Sequence, residues 1–294
     1  MFDLEVPLHD VDVLVPKNLT EALRILSERR DIRVLAGGTD LLVQLRSGAV
    51  SKSDLIDISR LQELRYIRHS DGYIAIGALT TYSDIAGSDI VRRYAPLLAE
   101  AAETVGSVQI MNKGTIGGNV INASPAADSL PPLYVLDAKL KLVSVDGTRA
   151  VGISDFYRGY KKLEIRPNEL LAEVRLRAMG AGEVGHFFKH GLRQGDAISV
   201  VNGAVVLDLD GDKVVNAAIA LGAVAPTVVR APEAERVLKG KRLSEDVMWE
   251  ASREVLKSIS PIDDVRGSAA YRRELSVNYL YMTLWRLARE VGAL

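Results

Sequence analysis

The sequence predicts an α+β protein built in two parts, and three observations predict it. Strand-like and helix-like segments alternate through the first 178 residues. The joint Met179-Gly180-Ala181-Gly182 then interrupts the apolar periodicity with two glycines in four residues. Beyond it, strand patterns come first and helical patterns follow, the order of a segregated α+β domain. The expected division is therefore 1–178 and 179–294.

Each element has its own reason. After a short extended start, Val11–Val15 alternates apolar and polar positions and stops at Pro16, as a strand would. Asn18 is placed to cap a helix striped by Leu19, Ala22, Leu23, Ile25 and Leu26. Ile32–Leu35 reads as a strand running into Gly37-Gly38, and Thr39 or Asp40 can cap the short helix Leu41–Arg46, ending near Gly48. Leu55–Ile58 and Tyr73–Gly77 are further strands, with a helical turn through Leu61 and Leu64 and a helix starting at Thr81–Ile85. The spacing of Leu97, Leu98, Ala101, Ala102, Val105 and Val108 predicts one helix over Tyr94–Gln109. Asn122–Asp128 can form a capped turn before the apolar run opened by Leu130-Pro131-Pro132. Leu140–Val145 and Leu170–Leu176 complete the first part as strands. In the second, Ser199–Leu209 and Val214–Val224 flank Asp210-Gly211-Asp212-Lys213 as a β-hairpin. Helices are expected over Ala231–Leu238, Asp246–Ser258 and Tyr271–Val291.

Charge and cysteine content narrow the function. With 37 basic against 38 acidic residues the net charge is −1, so no overall field draws the chain to nucleic acid. The chain has no cysteine, which removes disulfides, thiolate metal sites, a cysteine nucleophile and any iron–sulfur cluster of its own. Acidic residues and Pro7 stand where a signal peptide would need a basic start, and no stretch approaches the ~18 apolar residues of a membrane span. A cytoplasmic location and no membrane-spanning segment are expected.

The organising feature is a pair of glycine turns. Val34-Leu35-Ala36-Gly37-Gly38-Thr39-Asp40 (loop 1) and Thr115-Ile116-Gly117-Gly118-Asn119 (loop 2) both abut strongly apolar sequence. A lone Gly-Gly is by default a tight turn. Two such pairs, each beside a threonine and a short polar residue, suggest one anion site in which backbone amides approach a phosphate. Neither has the three-glycine dinucleotide spacing, and neither continues into Gly-Lys-Ser/Thr.

The run Leu35–Leu41 and the longer run Gln109–Asp128 resemble the two FAD-binding motifs of the molybdenum hydroxylase flavoproteins. These are the medium subunits of aerobic carbon monoxide dehydrogenases and their relatives, and the flavin domain of xanthine dehydrogenase. The resemblance continues through Asp155–Lys162, Asn168–Leu171 and Ala270–Arg273, so it covers nearly the whole chain. It implies a two-lobed FAD-binding domain of the vanillyl-alcohol-oxidase (PCMH) type, with lobes of about 1–54 and 55–178, then a small α+β C-terminal domain.

Carried over by motif position, Leu35, Ala36, Gly37, Gly38, Thr39, Asp40 and Leu41, with Thr115, Gly118 and Asn119, would wrap the pyrophosphate and reach the flavin. Asp128 would accept hydrogen bonds from the ribose or adenine side; its other reading is a cap on the turn before Leu130. Leu171 would pack on the isoalloxazine, and by default is a core strand residue. Lys189 would lie near the flavin pyrimidine ring, where a cation stabilises charge; a surface lysine is the commoner reading. Relatives usually carry arginine at the position of Met111, so one local charge is missing here. His186 and His190, at i and i+4, would suit a metal on a helix, but their strand-like surroundings argue for no metal site.

The family's holoenzymes oxidise substrate at a molybdopterin centre and pass electrons through two [2Fe–2S] clusters to FAD, and this cysteine-free chain cannot ligate those clusters. Nor does it show the cysteine-bearing insertion of the 4-hydroxybenzoyl-CoA reductase flavin subunit. The resemblance thus implies FAD on this chain, with a large molybdopterin-binding subunit and a small [2Fe–2S] subunit as partners in a dimer of heterotrimers, and no catalytic residue here. The alternatives are a stand-alone FAD-dependent reductase of the same fold and a non-enzymatic nucleotide-binding assembly module.

Overall fold

The structure, a computed structural model, describes residues 11–29 and 31–294. The extended start before Val11 lies outside the described residues. Strand β1 (Val13–Leu14) ends before Pro16, which has no amide hydrogen to give a ladder. Helix α1 (Leu19–Glu28) begins at Asn18, whose side chain accepts from the Glu21 amide at 2.9 Å. β2 (Ile32–Leu35), α2 (Leu41–Arg46) and β3 (Asp54–Asp57) complete the first lobe, a parallel sheet in the order β1-β3-β2. Ala22 and Leu26 of α1 pack with Ile56, Ile58 and Leu61, and the same cluster takes in Val143 and Leu170 from the second lobe. The lobe division expected at residue 54 falls inside β3; the sheets change between Asp57 and Ile67.

The second lobe contains β4 (Ile67–Ser70), β5 (Tyr73–Gly77), α3 (Tyr82–Ala86), α4 (Asp89–Tyr94), α5 (Pro96–Glu103), α6 (Val108–Met111), α7 (Ile116–Asn122), α8 (Leu130–Val135), β6 (Lys139–Ser144), β7 (Gly147–Gly152), α9 (Ile153–Phe156), β8 (Tyr157–Gly159), β9 (Lys162–Leu163) and β10 (Leu170–Arg177). Its sheet is antiparallel in the order β4-β5-β10-β6-β7. Ile74, Ile76, Leu140, Leu142, Val174 and Leu176 alternate along three of these strands and face Leu97, Leu98 and Leu133 of α5 and α8. The single helix expected over Tyr94–Gln109 is in fact broken. Pro96 starts α5, and Gly106, at φ +58°, stops the chain from running on into α6. Strand β7 was not read from the sequence, although Asp146-Gly147 marks its hairpin turn.

In the third part, β11 (Glu183–Gly191), β12 (Ser199–Asp210), β13 (Lys213–Gly222) and β14 (Val229–Arg230) pair in that order, all antiparallel. The β12–β13 hairpin is the one expected, turning at Gly211 with φ +61°. Helices α10 (Pro232–Leu238), α11 (Glu245–Glu254) and α12 (Ala269–Glu290) follow as predicted. Val205, Leu207, Ile219 and Leu221 face these helices, while Ala204, Val206, Ala218 and Ala220 join the core of the second lobe. Burial on both faces explains why β12 is an almost continuous apolar run.

Candidate cofactor-binding site

The two glycine loops meet. A Cβ on Gly37 would stand 1.8 Å from the carbonyl oxygen of Lys113, just before loop 2, so only hydrogen fits there. Gly38 is left-handed at φ +74°, and a Cβ on Gly117 would lie 2.7 Å from both the Cβ and the oxygen of Ala78. These three glycines are required by the protein's own backbone packing. Gly118 differs, since a Cβ there would meet only Thr115 Oγ1, at 3.0 Å. Of the four, Gly118 is the one whose missing side chain leaves room for a ligand.

The free donors lie on loop 1. In loop 2 the amides of Ile116 and Gly117 donate to the carbonyls of Thr80 and Ala78 at 3.0 and 2.9 Å. Those of Gly118 and Asn119 donate to Thr115 Oγ1 and Thr115 O at 3.1 and 3.0 Å. Loop 2 therefore begins α7, and its first amides are already satisfied. The amides of Gly37–Leu41, by contrast, have no acceptor among the described residues. Together with the left-handed Gly38 they form a concave cluster of N–H groups suited to an anion.

Asp40 occupies the N-cap position of α2 without making the cap bond expected of it. Its carboxylate is drawn across to loop 2 instead: Asn122 Nδ2 donates to Oδ2 at 2.8 Å, and Gln44 Nε2 donates to Oδ1 at 3.2 Å and to Asn122 Oδ1 at 2.9 Å. This three-residue clasp ties α2 to α7.

Between the loops lies a cleft of about 610 Å³, within the usual range for a small-molecule site. Leu79 and Leu171 give it an apolar wall, and Arg33, Lys161 and Arg166 supply cations to its lining. Glu169, also in the wall, is 7% exposed and accepts from Arg149 Nε and a terminal nitrogen at 2.6 and 2.8 Å. The Arg149 hydrogen bonds hold its carboxyl below the ordinary 4.5 against the opposing effect of burial.

Of the residues singled out by sequence, Ala36, Gly37, Gly38, Thr39, Asp40, Leu41, Thr115, Gly118, Asn119 and Leu171 line this cleft. Leu35 ends β2 beside it. Asp128 and Lys189 lie in the seam with the third part, joined by a 2.6 Å ion pair with side chains 8% and 11% exposed. Ser199 Oγ and Asn202 Nδ2 donate to Asp128 at 2.6 and 2.8 Å, and Lys189 also donates to Thr104 O at 2.8 Å. Asp128 caps no turn; Ser129 holds the N-cap position of α8. His186 and His190 sit on β11, where residues four apart are about 13 Å distant. His190 contacts the hydroxyls of Tyr279 and Tyr271 at 2.9 and 3.1 Å, and His186 contacts Glu100 and Arg286. Sequence reasoning missed many of the cleft's lining residues, among them Gln44, Asn122, Tyr82 and the charged Arg33, Lys161, Arg166 and Glu169. Gln44 was legible as the i+4 partner of Asp40 on a helix; Tyr82 carried no signal.

Anion-binding amides at one place and an apolar wall at another fit a cofactor with a diphosphate and a planar ring system. Residues 9–177 match the family described as the FAD binding domain in molybdopterin dehydrogenase, and residues 186–287 the CO dehydrogenase flavoprotein C-terminal domain. The glyceraldehyde dehydrogenase medium chain of Sulfolobus acidocaldarius is 34% identical over 259 residues, 88% of this chain and 92% of its own length. The nicotinate dehydrogenase FAD-subunit of Eubacterium barkeri is 33% identical over 91% of this chain and 92% of its own. A structure of carbon monoxide dehydrogenase from Hydrogenophaga pseudoflava superposes with a TM-score of 0.90 at 32% identity, covering 94% of this chain and 97% of that one. The chain belongs to the FAD-binding subunits of the molybdenum hydroxylases, an oxidoreductase family, and its cofactor is FAD.

Proposed function

We propose that this chain is the electron-exit subunit of a heteromeric molybdenum hydroxylase. In this reading a large molybdopterin-binding subunit oxidises the substrate, a small subunit carries [2Fe–2S] clusters, and the assembly is a cytoplasmic dimer of heterotrimers. Bound FAD supplies the exchange between one-electron and two-electron transfer that joins such clusters to an external acceptor. The observation that carries the proposal is the pairing of a built diphosphate cradle with the absence of any cysteine to hold a cluster.

The chain's own groups have defined tasks. The amides of Gly37–Leu41 hold the diphosphate, and Thr115, Gly118 and Asn119 close its other side. Leu171 packs on the ring system. Lys189 has three N–H donors, of which two are engaged by Thr104 O and Asp128, which leaves the third for the cofactor. The 1–178 segment contributes the cradle and 179–294 the seam that holds Asp128.

The test is to purify the full chain alone. It should retain FAD and oxidise no aldehyde, purine or carbon monoxide, and tagged chain should capture a large and a small cysteine-rich polypeptide from its own cells. Robust substrate oxidation by the isolated chain, or NADPH-dependent turnover without partners, would overturn the proposal.

A further inference from the structure

Tyr82 opens α3 and is 3% exposed, yet it lines the cofactor cleft. Its position is fixed from several sides. The Tyr82 amide donates to the carbonyl of Gly114, immediately before loop 2, at 3.2 Å. Gly114 also makes room for the ring, because a Cβ there would stand 2.8 Å from Tyr82 Cε2. Thr81 and Asp84 form a reciprocal capping box around the start of α3, with bonds of 3.2 and 3.0 Å, and Arg65 grips Asp84 through two bonds of 2.8 Å.

What the chain does not provide is a partner for the phenol. Tyr157 donates its hydroxyl to Val120 O at 3.0 Å, and Tyr66 donates to Glu173 at 2.6 Å. The Tyr82 hydroxyl makes no hydrogen bond to any described residue. A rigid, unpaired donor on a residue that lines a ligand cleft is pre-organised for the ligand.

We infer that the Tyr82 hydroxyl donates a hydrogen bond to an oxygen of bound FAD, and so is a cofactor-binding residue that neither glycine loop contains. The inference rests on the FAD reading of the cleft. Burial, reinforced by the negative charges of Asp128 and Asp40, raises the phenol well above its ordinary 10, which keeps it a neutral donor.

The test compares the full chain with its Tyr82→Phe variant, both stripped of flavin and titrated with FAD while flavin fluorescence is followed. The expected result is a dissociation constant raised roughly tenfold, the loss of one hydrogen bond to an anionic or carbonyl acceptor. The melting temperature of the flavin-free protein should not fall, because the hydroxyl bonds nothing in the chain. Unchanged FAD affinity in the variant would overturn the inference, as would a weakened affinity matched by a lower flavin-free melting temperature. Failure of the unmodified chain to take up FAD would sink the FAD reading itself, before any variant is compared.

Discussion

At the scale of single residues, the glycines of the two loops serve different ends, and substitution separates them. Gly37→Ala drives a methyl into the Lys113 carbonyl, so the loops must part. Overpacking against fixed backbone costs roughly 1–3 kcal/mol, and the variant should melt lower and emerge colourless. Gly118→Ala meets only Thr115 Oγ1 and should fold with nearly unchanged stability while losing flavin. The ratio of absorbance at the flavin band to that of protein, read beside the melting temperature, distinguishes the two; equal destabilisation would refute the assignment. Glu169 yields a pH prediction. Its folded pKa lies below the ordinary 4.5, so its contribution is present above that value and lost as pH falls through the folded pKa. Glu169→Gln should lower stability by roughly 1.5–3 kcal/mol near neutrality, and its deficit should shrink as the pH drops below 4.5. A deficit independent of pH would exclude the Arg149 bond as its cause.

At the scale of elements, the sequence was informative wherever a local rule acts alone. The cap at Asn18, the Gly211 hairpin and the three C-terminal helices follow from side-chain chemistry within a few residues. The glycine loops were visible for the same reason, since glycine pairs mark close backbone approach, whereas neighbours such as Leu171 came from the family resemblance. What was not visible depends on distant partners. Nothing in Asp40-Leu41 says that the aspartate will leave its own helix for Asn122, 82 positions away. Likewise, the sequence made both loops equal anion donors, whereas the carbonyls of Ala78 and Thr80, in the turn after β5, take the first two amides of loop 2 and Thr115 takes the next two. The clasp can be tested as a unit. Asp40→Ala and Asn122→Ala each break the same bond, so each should cost about 1 kcal/mol, and the double variant should cost distinctly less than their sum. Strict additivity of the melting data would show that the clasp does not couple α2 to α7.

At the scale of the molecule, the β11–β14 sheet is the interior of the protein rather than a surface of an appended unit. Its Ala204, Val206, Ala218 and Ala220 share one core with Leu133 and Ile74 of the second lobe, while the opposite face holds α10 and α12. Polar groups cross the same seam: Lys189, Ser199 and Asn202 all bind Asp128, and the Ala223 amide donates to Pro125 O at 2.7 Å. Asp128 and Pro125 belong to the segment that continues loop 2, so the third part buttresses the cofactor site without forming its cradle. Removing it would bare an apolar sheet-facing surface and leave a buried carboxylate without its three donors, a change that costs several kcal/mol. The full chain should therefore unfold in one calorimetric transition whose van't Hoff and calorimetric enthalpies agree. Residues 1–178 expressed alone should bind hydrophobic dye, lack a cooperative melt and retain no flavin. A soluble 1–178 fragment that melts cooperatively and stays yellow would mean that the seam fastens two independent domains, and that Asp128 needs none of its partners to keep loop 2 in place.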